Sequence, residues 1–254
     1  MKILPLVFAA FLFPASGAKA QTTNALSPAE IQGRQLAQEI LEDSPVTNLT
    51  ETGVLRIRNS EGTTNIPISF VTETSRGLWG VYYNAGMTGA AEGLMIVHQN
   101  SQPNQFFFFS VKGGSILSPA FRQSPMSRLT PSQIMAPFAG SDFWICDLGL
   151  DFFHWPDQKI IKQENRRTRA CAVLESINPH PSVGGYSRVD TWIDDATLGI
   201  VHAEAFDASG KLLKVFDPKS FKKVNGQWEL ENMEIRNVQT GSRSWIKFDL
   251  NAGS

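Results

Sequence analysis

The chain has 254 residues, 42% hydrophobic and 19% charged, with 23 basic against 24 acidic side chains, which is the profile of an ordinary folded protein. That balance excludes disorder, a collagen-like repeat and a basic nucleic-acid-coating tail, and the length suffices for one large all-β domain or two small ones without metals or many disulfides. Seventeen Phe and six Trp against three Tyr are more apolar aromatic bulk than a core of this size requires.

Met1-Lys2, the apolar run from Ile3 to Pro14 and Ala18-Lys19-Ala20 ahead of Gln21 read as a cleaved secretory signal over residues 1–20. The apolar run is too short for a membrane span, which needs roughly twenty residues, and no Cys follows the cleavage site to carry a lipid. Without Lys2 and Lys19 the basic count falls from 23 to 21 against 24 acids, a net charge of −3. A nucleic-acid partner or an anionic membrane surface is therefore not expected.

Ser27-Pro28-Ala29-Glu30 is a capping box with Pro at the first helical position. Ala29, Gly33, Leu36, Ala37 and Ile40 then share one face, so a helix running to about Ser44-Pro45 is predicted, its narrow small-residue stripe suited to lying closely across a sheet. From Gly53 the period changes to alternation. Val54–Arg58, Ile66–Thr72, Leu78–Tyr83, Leu94–His98 and Gln105–Val111 read as sequential strands. A second set follows in Ala170–Ser176, Tyr186–Ile193, Gly199–Phe206, Lys211–Phe216, Trp228–Val238 and Ser244–Leu250. Asn225-Gly226, Asp207-Ala208-Ser209-Gly210 and Asp194-Asp195 are the turn signals of the second set. Past Trp228 and Leu230 the apolar phase jumps three positions to Met233 and Ile235, which predicts a bulge that bends the sheet.

Between the two sets, Lys112 to Pro156 breaks the strand rhythm. Thr130-Pro131-Ser132-Gln133 opens a short helix that Pro137 stops, and a second helical piece is expected from Ser141 or Asp142. This insertion is rich in Met126, Met135, Phe138, Phe143, Trp144, Phe152, Phe153 and Trp155, too few residues to form a core alone, so it must pack on the sheet. With no linker-like run between the halves, residues 21–254 are expected to form a single domain.

The search for chemistry is mostly negative. There is no nucleophile elbow, phosphate-binding loop, dinucleotide fingerprint or zinc-protease motif. His98, His154, His180 and His202 lack ligand spacing, so no metal and no cofactor is expected. Asp142, Asp147, Asp151, Glu175 and Asp190 could pair as a hydrolytic acid and base, though turn and cap roles suit them as well. Arg166, Arg167 and Arg169 mark a solvated hairpin turn, with a phosphate or partner contact as the alternative. Cys146 and Cys171, in an exported chain, are candidates for a disulfide, two unpaired buried thiols being the alternative. The run Phe106-Phe107-Phe108-Phe109 in a strand sends alternate rings to opposite faces, so both faces must be shielded. One reading is a core on one side and the insertion on the other; a second is a curved sheet around an apolar cavity for acyl chains.

Several segments carry a family resemblance. Gly140-Ser141-Asp142-Phe143 with Asp147-Leu148, the strand ending Val173-Leu174-Glu175-Ser176, then Tyr186-Ser187-Arg188-Val189 and Trp192-Ile193-Asp194 resemble the outer-membrane lipoprotein-sorting family. So do Phe206-Asp207, Gly210-Lys211-Leu212-Leu213-Lys214, Phe221-Lys222-Lys223 and Gly226-Gln227-Trp228 in their order and hairpin spacing. The pattern runs from about Gly53 to Leu250, with Arg166-Arg167-Thr168-Arg169 in place of the family's usual Gly-containing turn. The resemblance implies a mainly β fold: an unclosed antiparallel β-barrel, or half-barrel, of about eleven strands, covered by an α-helical lid. It further implies a non-enzymatic periplasmic carrier that shields lipid or lipoprotein acyl chains, with an inner-membrane release complex and an outer-membrane acceptor as partners. Trp79, Phe106, Phe108, Met135, Phe138, Phe143 and Trp144 are the cavity candidates. An envelope sensor on the same fold and a periplasmic hydrolase are the alternatives.

Overall fold

The computed structural model describes residues 25–43, 45, 48–75, 77–86, 91–100, 102–111, 125–224 and 227–250. The expected signal segment and the Asn225-Gly226 turn lie outside them. Helix α1 spans Pro28–Glu42 and starts as its capping box dictates. The Ser27 N–H donates to Glu30 Oε2 at 2.7 Å and the Glu30 N–H to Ser27 Oγ at 3.3 Å, so two amides at the helix start are paired. Gly33 and Ala37 are its buried positions.

Thirteen strands form one sheet: β1 (Leu49–Asn59), β2 (Gly62–Ser75), β3 (Leu78–Ala85), β4 (Ala91–Gln99), β5 (Gln102–Val111), β6 (Met126–Arg128), β7 (Asp157–Arg166), β8 (Arg169–Ile177), β9 (Tyr186–Asp194), β10 (Ile200–Asp207), β11 (Leu212–Val224), β12 (Gln227–Asn237) and β13 (Arg243–Phe248). Their order is β6-β5-β4-β3-β2-β1-β13-β12-β11-β10-β9-β8-β7, and neighbours run antiparallel throughout. Two meanders are thus joined through the β1–β13 pair, and among the described residues β6 and β7 are the edges of an unclosed half-barrel. These edges are the two strands beyond the eleven read from sequence. β6 has only three residues, and β7 carries Lys159, Lys162, Glu164 and Arg166, the charge that protects an edge from pairing further. Where β11 meets β12 the register slips on either side of Ser220, with Phe221 opposite Leu230 and Ser220 opposite Asn232, which is the bulge expected from the apolar phase.

The concave face holds the main core, with Leu55, Ile68, Leu94, Ile96, Leu174, Ile193, Ile235 and Ile246 buried in it. Alternation sends Phe106 to this core, while Phe109 packs with Ala91 in a separate cluster on the convex side. There Gly93 makes the room, since a Cβ on it would lie 2.3 Å from the Phe109 ring.

The segment between the edge strands crosses the concave side as a lid. It contains a 3-10 turn at Gln133–Met135, the short helix α2 at Ile145–Leu148 and a second 3-10 turn at Asp151–His154. The Thr130 N–H donates to Gln133 Oε1 at 2.9 Å, half of the expected capping box. The second helix begins later than predicted because the Phe138 N–H donates to the Phe143 carbonyl at 2.8 Å and Ser141 Oγ to the Phe138 carbonyl at 2.7 Å, closing a tight loop over the preceding residues. The Asp147 carboxylate then accepts from the Trp144 N–H at 2.8 Å and starts α2.

The expected disulfide is not formed: Cys146 and Cys171 are both free and buried. Cys146 lies in the concave core, and Cys171 packs with Val173 and Trp192 on the convex side of β8. The sheet itself stands between the two thiols. Burial raises both well clear of reactivity at neutral pH, Cys146 the more strongly.

Candidate ligand cavity

Strand register divides the half-barrel into two ends. The strand ends at 75 and 78, 99 and 102, 166 and 169, 194 and 200, and 224 and 227 gather at one end, and those at 59 and 62, 85 and 91, 177 and 186, 207 and 212, and 237 and 243 at the other. The lid is fastened towards the second end. Asp142 accepts from the Ser242 and Ser244 hydroxyls, the latter at 2.8 Å, and the Ala139 N–H donates to Glu92 Oε2 at 3.0 Å. Beneath it Phe106, Ile134, Phe138 and Phe143 are at most 4% exposed, so this half of the concave face is filled.

Towards the first end the concave face encloses a cavity of about 1030 Å³, at the upper limit of ordinary small-molecule pockets. Phe70, Val81 and Tyr83 form one wall, and Val189, Ala203, Ala205, Phe216, Met233 and Ile235 the facing one. Helix α1 contributes Ile40 and Leu41, and the lid contributes Phe143, Leu148 and Leu150. α1 can serve as a wall because a Cβ at Gly33 would sit 2.6 Å from the Cα and N of Lys159: with glycine there, helix backbone rests directly on β7.

Of the residues proposed from sequence, Trp79 and Phe143 line this cavity. Trp79 stacks on His98 with centroids 3.8 Å apart. Burial holds the His98 imidazole down to about 4, against a hydrogen bond with Asn104 that works the other way, so the pair is neutral at physiological pH. Phe106 and Phe138 belong to the packed half. Met135 packs beside Cys146, with Sδ 3.6 Å from Sγ. Trp144 stacks on Tyr186 at 4.5 Å, and Phe108 is 37% exposed. Of the five acidic residues considered as an acid–base pair, Asp147 alone lines the cavity. Asp190 and Glu175 face Arg188 on the convex side.

Two charged features were not singled out as cavity residues in the sequence. Lys214, 1% exposed, stands where cavity and lid meet. Its Nζ donates to the Asp142 carbonyl at 2.7 Å, lies 3.7 Å from Asp147 Oδ2 and sits 3.6 Å over the Trp144 ring. Burial lowers it to about 8 and raises Asp147, whose carboxylate also accepts from Tyr186 OH at 3.1 Å. The strand phase Leu213-Lys214-Val215 could have placed it, since neighbours on both sides are apolar and one face must hold the lysine. The second feature is the β7–β8 hairpin, whose Arg167 and Arg169 line the cavity where it meets solvent. Arg167 and Thr168 form its two-residue turn with φ of 48° and 65°, a conformation that favours Asn-Gly and costs roughly 1–3 kcal/mol per strained residue.

Among the described residues no group of three or more His, Cys, Asp or Glu converges as a metal site, and no described helix is long and apolar enough to cross a membrane. A family profile described only as "Uncharacterized protein" matches residues 116–250, just over half of the chain. The chain belongs to this family. A search of the curated proteins finds no match. Solved structures with the same fold include a DUF1329 family protein from Desulfovibrio piger, with a TM-score of 0.66, 19% identity and 88% and 92% of the two chains covered. A "putative outer membrane lipoprotein-sorting protein domain" from Vibrio parahaemolyticus gives 0.68, 18%, 87% and 92%. A LolA superfamily protein from Nitrosomonas europaea gives 0.51, 15%, 88% and 93%. The chain thus shares the open half-barrel fold of these structures.

Proposed function

We propose that this protein is a non-enzymatic periplasmic carrier whose half-barrel shields the acyl chain of a lipid or lipoprotein. The observation that carries the reading is the cavity of about 1030 Å³ walled by Phe70, Val81, Phe216, Met233 and Ile235 beneath α1 and the lid. Protein interiors are otherwise packed to near-crystal density, so apolar walls left apart by this distance suit an apolar occupant. Each buried methylene would contribute about 0.8 kcal/mol, enough for tight holding without covalent chemistry, and release then requires a competing apolar site. The likeness to lipoprotein-sorting structures supports the same reading at the level of fold, and the signal-like residues 1–20 support export.

Lipids extracted from gently purified protein, identified by mass spectrometry, together with titration of delipidated protein by a fluorescent acyl probe, test this directly. Phe216→Asp puts a carboxylate in the cavity wall and should cost at least tenfold in probe affinity, equivalent to about 1.4 kcal/mol, while the protein stays folded by circular dichroism. Protein that carries no lipid and binds no acyl probe refutes the carrier reading.

A further inference from the structure

The β7–β8 hairpin brings two guanidinium groups to the place where an apolar cavity meets solvent. Arg167 and Arg169 both line the cavity and both are exposed. Each is held from one side. Arg167 donates to the Pro218 carbonyl and lies 3.1 Å from Asp217 Oδ1, and Arg169 lies 3.1 Å from Asp194 Oδ2. A guanidinium has five N–H donors in a rigid fork, so these contacts orient the groups and leave other donors for an oxyanion.

The turn's backbone bears on the same point. Arg166 pairs with Arg169 across a two-residue loop, and that loop is Arg167-Thr168 at positive φ, a β-branched residue where glycine is free of strain. Strain of this kind persists where the surrounding structure holds it and is concentrated at ligand clamps. Apolar surface adjoins the arginines: Phe221, 53% exposed, lines the same opening.

Resting on the carrier reading, we infer that the ligand is an amphiphile with an oxyanion head, a phosphate or a carboxylate, its tail in the cavity and its head on Arg167 and Arg169. A neutral acyl group satisfies the cavity and leaves the arginine donors to water. An anionic lipid should therefore bind in preference to an uncharged one of equal chain length.

The experiment compares three ligands with one sixteen-carbon chain, 1-palmitoyl lysophosphatidic acid, palmitate and 1-palmitoyl glycerol, as competitors of an acyl probe on delipidated protein. The expected result is that one or both anionic ligands bind about tenfold more tightly than the neutral one, as charge-assisted hydrogen bonds allow; which of the two does so tells phosphate from carboxylate. That advantage should shrink to within about twofold in Arg167→Gln/Arg169→Gln, with the neutral ligand's affinity unchanged. In the unaltered protein it should also weaken between low and high salt, because exposed charges are screened, which provides a measurement independent of how the variant folds. Equal binding of all three ligands, insensitive to salt, overturns the head-group inference and leaves the carrier reading standing. Binding of none of them overturns both.

Discussion

Gly33→Ala sets helix propensity against packing, and the structure decides the sign. In an isolated helix the change would favour folding by about 1 kcal/mol. Here the new Cβ would meet Lys159 Cα and N at 2.6 Å and the Gln158 carbonyl carbon at 2.8 Å, whereas ordinary contact begins at 3.4 Å. These are backbone atoms of an edge strand and cannot rotate aside, so α1 must lift from β7 by about 0.8 Å, the difference between those two distances. A radial gap of that size forfeits a quarter to a half of the dispersion attraction along the interface, and overpacking typically costs about 1–3 kcal/mol. A net loss of about 1 kcal/mol or more is expected, read as a lower urea midpoint with unchanged m-value. Gln35→Ala, at an exposed position of the same helix, is the control and should be neutral or stabilising. Ile40 and Leu41 lie further along the displaced helix and line the cavity, so acyl-probe affinity should fall with stability in Gly33→Ala alone. A Gly33→Ala protein as stable as Gln35→Ala would refute the claim that helix backbone rests on strand backbone.

Burial holds Lys214 at about 8 instead of 10.5, so between those values the unfolded chain binds a proton that the folded chain does not, and the contribution of Lys214 to stability should rise as pH climbs from 8 to 10, by up to about 1.4 kcal/mol per unit. The thiols of Cys146 and Cys171, both raised by burial, oppose it from about their ordinary value of 9.0. Tyr83, pushed up to about 12 by burial, and Tyr186, also raised, turn the trend downward above their ordinary value of about 10. Thermal unfolding should show the wild type gaining stability relative to Lys214→Met as pH climbs from 8 to 10, the thiols being common to both proteins; a difference that stays flat or shrinks over that range contradicts the assignment. Asp142→Ala removes the acceptor of the Ser242 and Ser244 hydroxyls, with Ser244 fully buried, and should cost about 1–3 kcal/mol, while Asp142→Asn, which keeps one carbonyl oxygen, should retain most of it. Unchanged unfolding in the alanine variant would show that these bonds do not fasten the lid.

The elements most legible in the sequence were those whose local chemistry and tertiary role agree. Ser27 and Glu30 cap α1 as written, the small residues of its stripe meet β7, and the jump from Leu230 to Met233 marks a real bulge. β7 went unread because Lys159, Lys162 and Glu164 obscure its alternation; an edge strand needs such charges and loses its apolar signature by carrying them. The cysteine pairing failed for a different reason. Sequence separation says nothing of which face of a sheet a thiol occupies, and Cys146 and Cys171 lie on opposite sides of one. Two of the large apolar cavity candidates, Phe106 and Phe138, pack into the core beneath the lid instead. A better signal was present in Ala203 and Ala205, small residues at alternate positions of β10 that face inward and leave space open.

The distribution of bulk along the concave face argues that the hollow is specified by the sequence. Seventeen Phe are available, and Phe106, Phe138, Phe143, Phe152 and Phe153 are placed at the lid, each at most 4% exposed. The opposing wall at the other end instead carries Ala203, Ala205 and Val189, beside Phe216 of β11. β-strand backbone accepts larger residues at the alanine positions without strain, and large residues there would gain about 25 cal/mol for each Å² of apolar surface removed from water. A chain selected for stability alone would take that gain. Keeping alanines in a wall, while an arginine and a threonine hold a strained turn at its opening, forgoes stability twice within one region. A bound ligand restores it through mass action, by binding the folded state and not the unfolded one, so the protein should be most stable when loaded.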